Sequence, residues 1–174
     1  MSATPGRPAA DEHLPYYAQY TDLVPDGDIV AILETQRAET LARLAQLSPA
    51  QALFRPTPAD WNTREVLGHI IDGEQVFGYR ALWVARGGGG PLPSFDPDVF
   101  VAAAQDAGRS IDALLDRYDA VRRASIALFA GFDAAAWDRR GIASDAVITT
   151  RALAYICAGH ELHHIADFHA RYGI

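Results

Sequence analysis

Apolar and polar positions alternate with helical periodicity through four long stretches of the chain. Ile29, Leu33, Gln36, Thr40, Leu44 and Leu47 recur at three- and four-residue intervals, which predicts a helix over 28–47. Asp26-Gly27-Asp28 offers its cap, and Ser48-Pro49 ends it. Asn62 followed three residues later by Glu65 is a capping-box pattern, so a second helix is expected from Thr63. That helix runs through Val66, His69, Val76, Phe77 and Trp83 to the Gly87–Gly90 run. A third fits 110–130, capped by Ser110 and striped by Ile111, Leu114, Leu115, Tyr118, Val121 and Leu128. A fourth starts at Thr149 or Thr150 and ends at Gly173.

Shorter pieces fall between them: a helix over 98–105, one turn at 133–137, and a plain connection from Gly141 to Val147. Residues 13–25, with Tyr16, Tyr17 and Tyr20, read as an irregular segment packed on the body. No strand pattern competes. The fold class is therefore all-α, a four-helix bundle of up-and-down type with one or two longer connections. One domain over 13–174 is expected, behind a disordered lead-in over 1–12.

Composition narrows the functional classes. A chain of 174 residues, 49% of them hydrophobic, can bury one core without staples. Its net charge of −7, with scattered Lys and Arg, argues against a nucleic-acid surface. No apolar run approaches the ~20 residues that span a bilayer, and the first residues lack the apolar centre of a signal peptide. Cys157 is the one cysteine, so no internal disulfide forms. A cytoplasmic protein is the expectation.

Candidate chemistry is concentrated in histidine. His160 and His164 are four apart on the fourth helix, so they project from one face, towards the stripe that includes Leu153, Ile156, Cys157 and Phe168. Burying two imidazoles without partners costs a few kcal/mol, about 2–7 for a polar group depending on the reference state. Such a pair therefore asks for a shared partner. His69 faces inward from the second helix, and three imidazoles are the ligand count of an open metal site. Imidazole ligation suits Zn, Ni, Cu or Fe. Asp72 and His163 flank this face and are the candidates for orienting a ligand ring from behind. Glu161 reads as an ordinary or salt-bridged carboxylate, Cys157 as a small core residue, and His13 and His169 as surface residues. Arg80 either reaches an acidic substrate group or snorkels to solvent.

Several segments together resemble the DinB/YfiT-like superfamily, the damage-inducible family of small metalloproteins. They are Trp61-Asn-Thr-Arg-Glu65-Val-Leu-Gly-His69, Phe77-Gly-Tyr79-Arg80-Ala-Leu, Leu92-Pro-Ser-Phe-Asp96, and Arg151 through His160-Glu-Leu-His-His164. Asn62 stands where Ser or Thr is usual and keeps the capping chemistry. The resemblance implies a four-helix bundle with a divalent metal, Zn or Ni foremost, on His69, His160 and His164. It also implies a homodimer and a small-molecule activity: a metal-dependent hydrolase, or a transferase using a low-molecular-weight thiol as cosubstrate. A different class stays open beside these, a non-catalytic metal-binding stress-response protein whose metal is structural. Access to the metal separates the two.

Overall fold

A computed structural model describes residues 5–174. Eight α-helices lie among the described residues: α1 Ala18–Thr21, α2 Ile29–Leu44, α3 Pro49–Leu53, α4 Thr63–Ala85, α5 Pro97–Ala104, α6 Ile111–Ala130, α7 Ala134–Trp137 and α8 Thr150–Asp167. The caps are largely those the sequence advertises. The Asp28 carboxylate accepts from the backbone N–H groups of Val30 and Ala31 at the start of α2. Asn62 and Glu65 form the reciprocal box of α4, at 3.0 and 2.7 Å. Ser110 caps α6, and Thr149 rather than Thr150 caps α8, accepting from Ala152 N–H at 3.0 Å. Each supplies an acceptor to an N-terminal amide that the helix itself leaves unpaired.

The long helices α2, α4, α6 and α8 make the bundle. Around it α2 packs on α6 and α8, and α4 packs on the same two, so α2 and α4 stand across a diagonal. Contacts such as Asp72 with Arg117 and Glu74 with Arg122 show α4 and α6 running parallel. The long connection over 86–110, which contains α5, returns the chain to the same end of the bundle and permits this.

Two expectations are corrected. The stretch Gly141 to Val147 is no plain connection: Arg140–Ala143 (β1) and Ala146–Thr149 (β2) pair antiparallel as a hairpin. Its turn residues Ser144 and Asp145 have φ of 52° and 59°. A two-residue hairpin loop needs that left-handed backbone, but the usual Asn-Gly or Asp-Gly signal is absent, and four-residue strands are too short to show alternation. Leu92 adds to this hairpin, donating to Ile142 O and accepting from Ser144 N–H.

The second correction concerns the lead-in. Residues 1–4 lie outside the described residues, but the rest of 1–12 is docked. Arg7 donates to the carbonyls of Thr21 (2.5 Å) and Val24 (2.6 Å). Buried Glu12 accepts from Arg151 (2.7 and 3.0 Å) and Thr149 (2.8 Å). Charge-assisted hydrogen bonds to a distant helix start hold a segment that its composition marks as loose. His13, expected at the surface, is buried against its own neighbour's carbonyl.

The core has two apolar halves. One joins α1, the hairpin and the first turns of α8; the other joins the start of α4, the start of α6 and the chain end at Phe168 and Tyr172. Between them lies a polar layer of Gln36, Thr40, His69, Glu74, Arg122, His160 and Glu161, all buried. The α-helical part of α8 stops at Asp167, and Phe168–Tyr172 continues as a π-helical turn to Gly173 at φ 69°. Among the described residues no helix is long and apolar enough to cross a membrane.

Candidate metal centre

Helices α4 and α8 run antiparallel at the polar layer, and that crossing brings three imidazoles to one point. His69 Nε2 lies 3.0 Å from His160 Nε2, and His164 Nε2 lies 3.2 Å from the same atom. One ring nitrogen from each residue falls within 4.8 Å of the other two. His160 and His164 owe their common direction to the i,i+4 spacing. His69 reaches them because α4 approaches closely at Gly73, where an added Cβ would come within 3.0 Å of His160 Cε1.

The rings are fixed by aromatic walls. Trp61 packs on His69 at 4.9 Å between centroids, and Tyr20 and Phe77 meet His160 edge-on at 5.3 and 5.5 Å. Tyr20 is itself pressed against α8. A Cβ on Gly159 would overlap the Tyr20 carbonyl, so only glycine lets the tyrosine segment approach this closely.

Burial pushes the His69 imidazole down to about 4, against a raising influence from the Asp98 carboxylate. Burial likewise lowers His160 well below the ordinary value, reinforced by the neighbouring rings of His164, His69 and His163. It pushes His164 down to about 3, with His69 and His163 adding to it. All three rings are therefore neutral at pH 7. A neutral imidazole has one N–H and one lone pair, so three nitrogens meeting at one point can pair only by sharing the one acceptor or the one hydrogen of His160. A cation accepts all three lone pairs, and this donor set fits a divalent transition metal.

Two cavities adjoin the cluster. One of about 160 Å³ is walled by Tyr16, Tyr17, Tyr20, Phe77 and Phe95 and reaches His69 and His160. Another of about 290 Å³ reaches His164 and is lined by Trp61, Asp98 and Asp167 among others.

The flanking residues sort differently from expectation. Asp72 does not orient an imidazole: its carboxylate accepts from Arg117 of α6, because α4 turns that side towards α6. His163 makes no hydrogen bond to a ligand ring; it lies edge-on to Tyr20 and His164 at 5.3 and 5.2 Å. The carboxylate near a ligand is instead Asp167, grouped with His163 and His164 within 4.8 Å. Its i,i+3 spacing from His164 was the available signal. Arg80 does not snorkel. It is buried and donates to Pro93 O (2.6 Å) and Ser144 Oγ (3.1 Å), tying the proline loop to the hairpin turn. Cys157 is buried in the core, and burial pushes its thiol up, away from thiolate chemistry. His169 is exposed, as expected.

A family model described as the DinB superfamily matches residues 32–168. The chain belongs to the DinB superfamily. Among solved structures it is similar to YfiT from Bacillus subtilis, described as a probable metal-dependent hydrolase with an unusual four-helix bundle topology. That likeness has a TM-score of 0.67 at 16% identity and covers 79% of this chain and 80% of the other. At that identity it shows the shared fold. No curated protein matches the chain. The all-α bundle expected from the periodicity is thus the superfamily's fold, and the three histidines stand where its two antiparallel helices cross.

Proposed function

We propose that this chain is a divalent-metal-dependent enzyme acting on a small molecule, either a hydrolase or a transferase using a low-molecular-weight thiol. His69, His160 and His164 hold the metal through Nε2, with Zn or Ni as the favoured ions. The observation that carries this reading is the convergence of three neutral imidazole nitrogens beside two cavities. A structural site is closed by its protein ligands, whereas three ligands with adjoining space leave room for a fourth partner. A Lewis acid bound there lowers the pKa of a coordinated water or thiol.

The protein's own groups have distinct tasks. Trp61, Tyr20 and Phe77 limit water around the imidazoles and restrict ring rotation. Asp167 sets a carboxylate within 4.8 Å of a His164 ring nitrogen. The Tyr16 and Tyr20 hydroxyls, 3.1 Å apart, give the aromatic cavity polar atoms for a substrate oxygen.

A cytoplasmic homodimer belongs to the same reading. The exposed Tyr79 and Leu82 on α4 support an apolar contact face, and light scattering showing a monomer at micromolar concentration would remove the dimer. The enzymatic reading is tested by metal analysis of the purified protein, then by turnover of activated esters and of thiol–electrophile pairs. Turnover should disappear on chelation and in His160→Ala. Full turnover in both conditions overturns the mechanism. A large loss of stability on chelation, with no turnover of either substrate class, would point to the structural-metal alternative.

A further inference from the structure

The cavity beside His164 has a chemical character of its own. It is lined by three carboxylates, Asp60, Asp98 and Asp167, by the aromatic rings of Trp61 and Tyr172, and by a single cation, Arg171. That cation is already engaged, at 2.7 Å from Asp60 and 3.6 Å from Asp167. Asp98 has no ion-pair partner among the described residues. It stands in the first turn of α5 and contributes its backbone N–H, not its carboxylate, to the Asp96 cap. Its charge nevertheless acts on His69, the buried ligand that Trp61 covers. The mouth of the metal centre thus combines an uncommitted carboxylate with an indole, and its surplus charge is negative.

The other approach adds no opposing charge. The aromatic cavity is walled by tyrosine and phenylalanine with Pro97 and Ser144, and the Arg80 guanidinium, 5.8 Å over the Phe95 ring, is engaged by Pro93 O and Ser144 Oγ. An anionic substrate entering by the first mouth would meet like charge before it reached the metal, and the walls of the second offer it no ammonium or free guanidinium. An organic ammonium would meet a carboxylate and an aromatic face, the pairing that recognises amines.

We propose that the small molecule admitted to this site carries a protonated amine, held by Asp98 and Trp61 at the acidic mouth while its reacting end faces the three histidines. This rests on the metal reading of the preceding subsection and names the substrate class for that same site. Asp98 acts here as a specificity residue.

Cobalt(II)-loaded full-length protein gives a direct test, since a thiolate bound to cobalt(II) produces a charge-transfer absorption. Three thiols of similar size are titrated: cysteamine (cationic), 2-mercaptoethanol (neutral) and 3-mercaptopropionate (anionic). Comparing each thiol between wild type and Asp98→Asn cancels intrinsic differences in thiol acidity. The substitution should weaken cysteamine about tenfold, leave 2-mercaptoethanol within about twofold and tighten 3-mercaptopropionate, with the contrast shrinking as salt is raised. Asp98→Lys should extend the trend and reverse the preference. Equal effects on all three thiols, or none, would overturn the proposal while leaving the metal site intact. Failure to take up cobalt(II) at all, in protein whose circular dichroism is helical, would instead remove the metal reading and this inference with it.

Discussion

Two polar clusters share the middle layer of the bundle, and they are built on opposite terms. In the first, Arg122 of α6 donates to Glu74 of α4 at 2.7 to 3.0 Å and to Glu161 of α8, while Glu161 also accepts from Tyr118 at 3.0 Å and Thr40 at 2.5 Å. Arg122 reaches Gln36 and Leu33 O on α2 as well. Every long helix contributes, and each charge has partners. The flanking carboxylates hold the Arg122 guanidinium charged despite a burial that works the other way. In the second cluster, one residue along α8, three neutral imidazoles meet only one another, with no charged partner and with cavities beside them. A closed, fully paired network organises the helices; an open, unpaired set invites a ligand. The difference teaches which buried polar groups to read as architecture and which as a site, even when they are sequence neighbours such as His160 and Glu161.

The contrast can be broken most sharply at Arg122. Arg122→Leu leaves two buried carboxylates without a countercharge and should cost about 3–5 kcal/mol, read as a fall in the urea midpoint. His160→Ala should behave differently. It should cost the metal-free protein less, about 2 kcal/mol for the cavity left by the ring, yet abolish the stabilisation by added Zn or Ni, which is about 3 kcal/mol for wild type at a hundredfold excess over Kd. If removing the ring costs the metal-free fold as much as removing the guanidinium, the two clusters are not different in kind.

Gly159→Ala tests whether the open cluster depends on its wall. The new methyl must push the Tyr20 backbone away, at a cost of about 2 kcal/mol for overpacking. Metal affinity should fall with stability, measured by calorimetric titration beside thermal melts.

The smallest effect concerns the clasp at Glu12, a satisfied ionic group at the edge of the fold. Burial alone would raise its pKa, but the hydrogen bonds from Arg151, Ala9 N–H and Thr149 outweigh it and hold the carboxyl below its ordinary 4.5. A depressed folded-state pKa contributes stability that is fully present above the unfolded value and disappears as pH falls through the folded one. Glu12→Gln should therefore cost about 1.5 kcal/mol at pH 7, and the gap to wild type should close in urea titrations carried below pH 4.5. A gap that stays constant with pH would assign the clasp to packing instead of charge.

Much of this molecule is legible in its sequence. Helix starts at Asp28, Asn62, Ser110 and Thr149 follow from local hydrogen bonding between a side chain and amides two or three residues away. The shared direction of His160 and His164 follows from helix geometry alone. The hairpin over 140–149 was not legible, since its turn is made by Ser144 and Asp145 in a conformation that their identity does not announce. Nor was the partner of Asp72, which depends on which neighbour α4 turns it towards.

Local periodicity and capping are short-range physics, so the chain by itself determined four amphipathic helices and the inward aim of three histidines. Only the tertiary structure decided that α4 and α8 cross at those histidines, that Glu161 joins a buried guanidinium, and that Asp98 stands at the mouth with no ion-pair partner among the described residues. Those outcomes depend on the order and direction in which the helices pack. The packing is set by the summed burial of distant faces and by the close approaches at Gly73 and Gly159, and no local window of sequence contains it.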